Sequence, residues 1–129
     1  MANPNIVSVA TINGVSLGWN LSATTTTTLL TVTSEYVVKV NRIICANVDG
    51  SSAADLTLYV VKANATPAGV TNFDTSGSFY LAKTISVPAD SSLVVLDTPI
   101  YLMEGDVVKG GASAASDLDL FLSYEALID

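Results

Sequence analysis

This 129-residue sequence predicts an all-β fold, an antiparallel β-sandwich of the jelly-roll or immunoglobulin-like kind, on three observations. Apolar residues recur at every second position in several stretches, most plainly where Leu118, Leu120, Leu122 and Tyr124 alternate with Asp119, Phe121, Ser123 and Glu125. Turn residues punctuate the chain at short intervals. Helical periodicity is almost absent. About eight to ten short strands result, which suits either sandwich, although the Cys-Trp-Cys arrangement of antibody domains is missing.

Ile6 to Ile12 alternates weakly, and residues 1–12 are expected to form an N-terminal arm or edge strand ahead of a single sandwich domain over 13–129. Asn13-Gly14 carries the hairpin-turn signal. Val15 to Leu21 then resumes as a strand containing Trp19, and Thr26 to Thr33 is expected to be extended because threonine is β-branched. The centre of the chain is Tyr36 to Ala63, a long strand, a polar connection at Asp49-Gly50 and a second strand, predicted as a hairpin. In its first arm Arg42 falls among the apolar positions. A bulge near Asn41-Arg42 turns Ile43 and Cys45 inward instead. The second arm places Leu56, Leu58 and Val60 on one face.

Asn64 to Gly77 is rich in Asn, Thr, Gly, Pro and Asp and is expected to be an exposed loop, since irregular backbone leaves polar groups to be hydrated. Ser78 to Val87 follows as a strand with Phe79, Leu81, Ile85 and Val87 on one side, where Lys83 either snorkels outward or marks a second bulge. Short strands at Ser92 to Leu96, Ile100 to Met103 and Val107 to Lys109 are separated by turns, and Gly110 to Ser116 is expected to be a small-residue loop. Asp117 to Ile128 is the final strand. The expected core is Leu56, Leu58, Val60, Phe79, Leu81, Leu118, Leu120 and Leu122.

Composition narrows function by exclusion. Net charge is −7, with twelve acids against five scattered bases, which argues against nucleic-acid binding because counterion release needs clustered Lys and Arg. No apolar run approaches the roughly 20 residues that span a bilayer, so no membrane partner is expected. Met1 to Asn5 lacks the basic and apolar regions of a secretory signal, which predicts synthesis in a cytoplasm. Charged residues make up only 13% of the chain, about half the usual share, so part of the surface is expected to be covered by neighbours in a homo-oligomer, a trimer or a ring. Val37 and Phe121, on strand faces opposite the expected core, are the apolar residues proposed for such contacts.

Candidate chemistry is sparse. The chain has no histidine, so the commonest general base, triad partner and metal ligand is missing, and no enzymatic activity is expected. Asp117 and Asp119 share a strand face, but like charges at that spacing read as a solvated outer face. Asp49, Asp55, Asp90, Asp97, Glu104 and Asp106 lie at turns and could offer oxygens to calcium, yet no stretch matches a twelve-residue calcium loop, and turn chemistry alone accounts for them. No catalytic, cofactor or metal residue is therefore assigned. The single cysteine, Cys45, reads as a small buried residue. Asn20-Leu21-Ser22 and Asn64-Ala65-Thr66 match the glycosylation pattern, which is common by chance. Trp19, Tyr36, Tyr59, Phe73, Tyr80, Tyr101 and Phe121 could build a sugar-stacking platform, although most read as core or interface residues.

Several phrases carry a family resemblance: Tyr36 to Ile44, Ala46-Asn47-Val48-Asp49-Gly50, Leu81 to Ala89, and Pro99-Ile100-Tyr101-Leu102 followed by Glu104-Gly105-Asp106. In this order the chain resembles small virion structural proteins of tailed bacteriophages, particularly those of marine and cyanobacterial hosts. The resemblance spans Tyr36 to Glu125. It implies a β-sandwich component of the particle without enzymatic activity or cofactor, located in the virion and made in the host cytoplasm. Capsid decoration on the major capsid protein, a neck or collar part, and a tail or fibre component all fit it. A carbohydrate-binding adhesin module is the alternative from another class. The arm Ala2 to Ile12 and the loop Asn64 to Gly77 are the segments expected to touch neighbours.

Overall fold

The computed structural model describes residues 10–63, 69–72 and 76–128. Nine strands occupy them: β1 (Thr11–Asn20), β2 (Thr28–Thr31), β3 (Tyr36–Asn47), β4 (Ala54–Lys62), β5 (Gly77–Val87), β6 (Ser92–Leu96), β7 (Ile100–Leu102), β8 (Val107–Ala112) and β9 (Leu118–Ile128). They form two antiparallel sheets, the first in the order β1-β9-β3-β6 with β7 also on β3, the second in the order β2-β8-β4-β5. β6 pairs with Ile43 to Ala46 and β7 with Val38 to Val40, so the two are one edge strand interrupted at Asp97-Thr98-Pro99, where proline lacks the ladder donor. Counting them as one leaves eight strands, four per sheet, wound as a jelly roll.

The inner faces of the sheets meet in one core that includes Leu21, Val40, Ile43, Cys45, Leu56, Leu58, Val87, Val108, Leu118, Leu120 and Leu122. The predicted bulge in β3 is present: the register with β9 shifts between Val40 and Arg42, Arg42 is exposed, and Ile43 and Cys45 are buried. Without that extra residue Arg42 would point into the core. The burial of a charge is thus avoided by one unpaired position.

Four expectations need correction. β3 and β4 do not pair as a hairpin; they lie in different sheets. The reason is Asn47, whose buried amide donates to the Ser52 and Val87 carbonyls, each at 2.9 Å, while its side-chain oxygen accepts from the Asp49 amide at 2.9 Å. These bonds carry the chain across to the second sheet. Asn13-Gly14 is not a turn either, because both residues sit inside β1 and pair with Ala126 and Glu125 of β9. An uninterrupted partner strand overrides the local turn preference. Gly110-Gly111 is not a flexible loop: both residues are buried in β8, where a Cβ on Gly110 would strike the Thr57 carbonyl and one on Gly111 the Ser22 and Thr24 carbonyls. Of the threonine run only Thr28 to Thr31 is strand, because Thr27 turns back to bond Thr24 through both its amide and its hydroxyl.

The expected core is also amended at Phe79 and Leu81, which are 45% and 36% exposed. β5 is an edge strand whose register with β4 shifts twice, between Leu56 and Leu58 and between Leu58 and Tyr59. Thr84 at the first shift has a left-handed φ of 50°, and Ala82 and Val87 take the inward positions. Lys83, which breaks the alternation, lies 5.1 Å from the centre of the Tyr80 ring.

One polar tie spans the molecule's second layer. Asp106, fully buried in the turn before β8, accepts from Lys62 Nζ at 2.7 Å, the Ala63 amide at 3.0 Å and the Met103 amide at 2.8 Å. It thereby fastens the end of β4 to the connection that follows β7. Replacing Asp106 by Ala leaves two amides and an ammonium without their acceptor and should cost roughly 3 to 5 kcal/mol in denaturant unfolding. Leu120→Ala should cost about 2 to 5 kcal/mol, whereas Phe79→Ala should stay within about 1 kcal/mol. Equal losses at Leu120 and Phe79 would contradict this placement of the core.

Candidate functional site

Among the described residues, exposed apolar side chains collect in two places: along the edge strand β5, at Phe79, Tyr80, Leu81 and Ile85, and on the outer face of the first sheet. Antiparallel register sets Gly18 of β1 beside Phe121 of β9, Phe121 beside Ile44 of β3, and Ile44 beside Val94 of β6. Because residues directly opposite one another share a face, these four form a row across the whole sheet. Phe121 is 53% exposed and Val94 45%, with Ile44 half-buried between them. Gly18 makes the row flat: its missing Cβ would stand 3.4 Å from the Phe121 ring, so the ring lies over β1 instead of standing away from it.

Charge borders this row without entering it. On one side Asp119 accepts from the Asn20 amide at 2.7 Å. On the other, Lys39 sits opposite Glu125 in the register, and Glu125 accepts from Asn41 at 3.2 Å. Tyr101, opposite Lys39 on β7, adds an exposed ring farther along the face. Val37, expected to be exposed on this side, is buried at 5% and lies outside the main core cluster.

The acids proposed for calcium do not converge, and among the described residues no group of three or more His, Cys, Asp or Glu side chains is placed to hold a metal ion. Asp106 is already satisfied by Lys62 and two amides. Glu104 accepts from the Ser34 hydroxyl at 2.8 Å, and Asp97 lies beside Thr98. Asp90 borders Gly50. Asp55 is half-buried, its own amide bonded to the Ser113 hydroxyl. The Asp49 carboxylate accepts from the Ser51 amide and hydroxyl, both at 2.9 Å, and these bonds hold its pKa below the ordinary value. Since the folded pKa is the lower one, this contribution exists at neutral pH and disappears as pH falls through it. The pair Asp117 and Asp119 is divided between different partners: the Asp119 carboxylate accepts from Asn20, and the Asp117 carbonyl accepts from the Val48 amide at 2.8 Å.

The aromatic residues are dispersed. Tyr59 is buried and packs on Tyr80 at 4.9 Å between ring centroids, on the second sheet. Trp19 and Tyr36 are half-buried against the core, Tyr101 and Phe121 lie on the first sheet, and Phe73 is outside the described residues. They make no common stacking platform among the described residues. A space of about 280 Å³ opens between β2 and the first sheet, lined by Leu30, Val32, Tyr36, Val38 and Tyr124. Asn13, Thr31 and Thr33 line it as well, so its wall is mixed, and no carboxylate or cationic side chain borders it. Of the glycosylation matches, Asn20 is held by Ser116 and Asp119, and Asn64 lies outside the described residues.

Sequence reasoning singled out Phe121 but missed Ile44 and Val94. Each is an unremarkable apolar residue in its own strand, and the signal that unites them is the register across three strands. The Lys62–Asp106 pair was missed as well. Its one clue was an aspartate in a turn of a chain with few lysines. Cys45 is fully buried, and its pKa is pushed up to about 11 by burial and then by the charge of Asp119. Thiol-directed reagents at mildly alkaline pH should therefore leave the native protein unlabelled and label it fully once denaturant unfolds it.

Comparison with known proteins returns little. No family model matches the chain, and no curated protein matches it. Among solved structures, a chain described under "Bacillus endospore appendages form a novel family of disulfide-linked pili" is similar over 92% of this chain and 87% of its own, at 17% identity and a TM-score of 0.45. At that distance the likeness carries no functional weight.

Proposed function

We propose that this protein is a non-enzymatic structural subunit of a bacteriophage particle, a capsid decoration protein that docks on the major capsid protein through the outer face of its first sheet. The observation that carries the reading is the flat apolar row Phe121, Ile44 and Val94, left uncovered in a chain unusually poor in charge. Apolar surface rimmed by polar residues in this way is found at protein contacts. The phrase-by-phrase resemblance of Tyr36 to Glu125 to small virion proteins supplies the identity of the assembly. Dispersal of the aromatic rings weighs against the adhesin alternative.

Decoration is compatible with a modest contact per copy. Many subunits bound at symmetry-related positions, and linked to one another, are held far more firmly than one site would hold a lone chain. Such a subunit is made in the host cytoplasm and resides in the virion. A neck, collar or tail position uses the same surface and differs only in where the copies stand.

The test is a density map of the intact particle, together with a binding assay on particles stripped of the protein. Copies at regular positions on the shell are the expected result, and a single ring at the portal vertex would transfer the role to the neck. Phe121→Ser should weaken particle binding at least about tenfold while leaving the fold intact, as truncating a central aromatic contact does. Undiminished binding by Phe121→Ser, or specific glycan binding by the isolated protein, would overturn the proposal.

A further inference from the structure

A sheet edge presents unpaired backbone donors and acceptors, so each edge of a sandwich is a template for another strand unless something blocks it. Three of the four edges here are blocked. β2 is four residues long with a shifted register. β5 carries two register shifts, and its lysine lies over Tyr80. The edge formed by β6 and β7 is interrupted at Asp97-Thr98-Pro99. β1 has none of these guards. Its ten residues pair with β9 in unbroken register and include no charge and no proline.

β1 also carries two features that the described residues of its own protomer do not explain. Gly14 has no left-handed φ, and among the described residues a Cβ there would meet nothing within 4 Å, so neither backbone conformation nor packing among those residues calls for glycine. Glycine in the middle of a strand weakens it unless another backbone or side chain must come close. Second, among the described residues β1 has β9 as its single strand neighbour. Val15, Leu17 and Trp19, on the inward face of β1, are half-buried, and of the three only Trp19 packs against the core cluster.

We infer that β1 pairs with β1 of a second copy, antiparallel and about a two-fold axis, joining the two first sheets into one continuous sheet. Self-pairing follows from the state of the other edges: β1 is the unguarded strand among the described residues, so the edge that suits it is another β1, and two identical edges meet in an isologous two-fold contact. An axis at Ser16 sets Gly14 opposite Gly18 of the second copy on the outer face. On the inner face it sets Val15 opposite Leu17. No charge confronts a like charge, small residues leave room for the Phe121 rings that lie over Gly18, and the half-buried apolar side chains gain neighbours. An isologous contact of this kind closes as a two-fold pair. It stands independently of what the Phe121 row docks on.

Sedimentation of the intact protein over a range of concentrations tests it. The natural sequence should show a monomer–dimer equilibrium. Ser16→Lys, at an exposed position that a lysine can occupy in the monomer, should raise the dissociation constant at least about tenfold with an unchanged unfolding midpoint, since it sets like charges face to face across the axis. Val94→Ser, on β6 at the far edge of the sheet, should dimerise like the natural sequence even where it binds particles less well, which separates this contact from the proposed docking face. Hydrogen exchange should protect alternate β1 amides, those directed away from β9, in proportion to dimer formed. A monomer at every concentration, an oligomer indifferent to Ser16→Lys, or protection appearing at β5 instead would overturn the inference. So would concentration-independent protection of all β1 amides in a monomer, which would mean that the chain's own residues 1–9 cover the edge.

Discussion

The pairing of β9 with β3 is the constraint on which the architecture rests. Eleven residues at the end of the chain lie against twelve from its first half, with the register stepping once, between Val40 and Arg42. β9 also carries β1 on its other side, so the first sheet has no continuous centre without it. These contacts join residues some eighty positions apart. Such a pairing closes a long loop before any local contact rewards it, and sheets of this kind fold slowly for that reason. The single bulge at Asn41 is what makes the pairing tolerable, because it removes Arg42 from the interior while keeping Ile43 and Cys45 in it.

Around this spine the polar groups that matter structurally lie at corners. Asn47 satisfies three backbone groups where the chain leaves β3 for the second sheet, and Asp106 gathers Lys62 and two amides where it returns toward β8. Both are buried, and both do work that a ladder cannot do at a strand end, where backbone donors and acceptors run out of partners. The glycines of β8 serve the same compact winding from the other direction, by letting the backbones of β4 and of the β1–β2 connection approach closely.

The surfaces divide by what faces them. β5 and the β6–β7 edge carry the interruptions by which sheet proteins avoid indiscriminate pairing, and the outer face of the first sheet and the β1 edge do not. The apolar row and the β1 edge adjoin through Gly18 and Phe121, so among the described residues exposed apolar side chains and an unpaired strand edge share one side of the molecule.

By itself the sequence determined the all-β class, the position of nearly every strand, the bulge at Asn41-Arg42, the disturbance at Lys83 and the inward set of Leu56, Leu58, Val60, Leu118, Leu120 and Leu122. Each of these follows from a period of two and from the cost of burying charge, which are properties of a strand and its nearest residues. Sheet membership was decided only by the tertiary structure. Asp49-Gly50 is as good a hairpin turn in sequence as any, but the bonds of Asn47 to Ser52 and Val87 send the chain to the other layer. Asn13-Gly14 reads as a turn until β9 lies beside it, and Gly110-Gly111 reads as a loop until Thr57 and Thr24 press on it. The row of Phe121, Ile44 and Val94 is invisible in the chain for the same reason. Its members are dozens of residues apart and become neighbours only through the register of three strands, which no local pattern specifies.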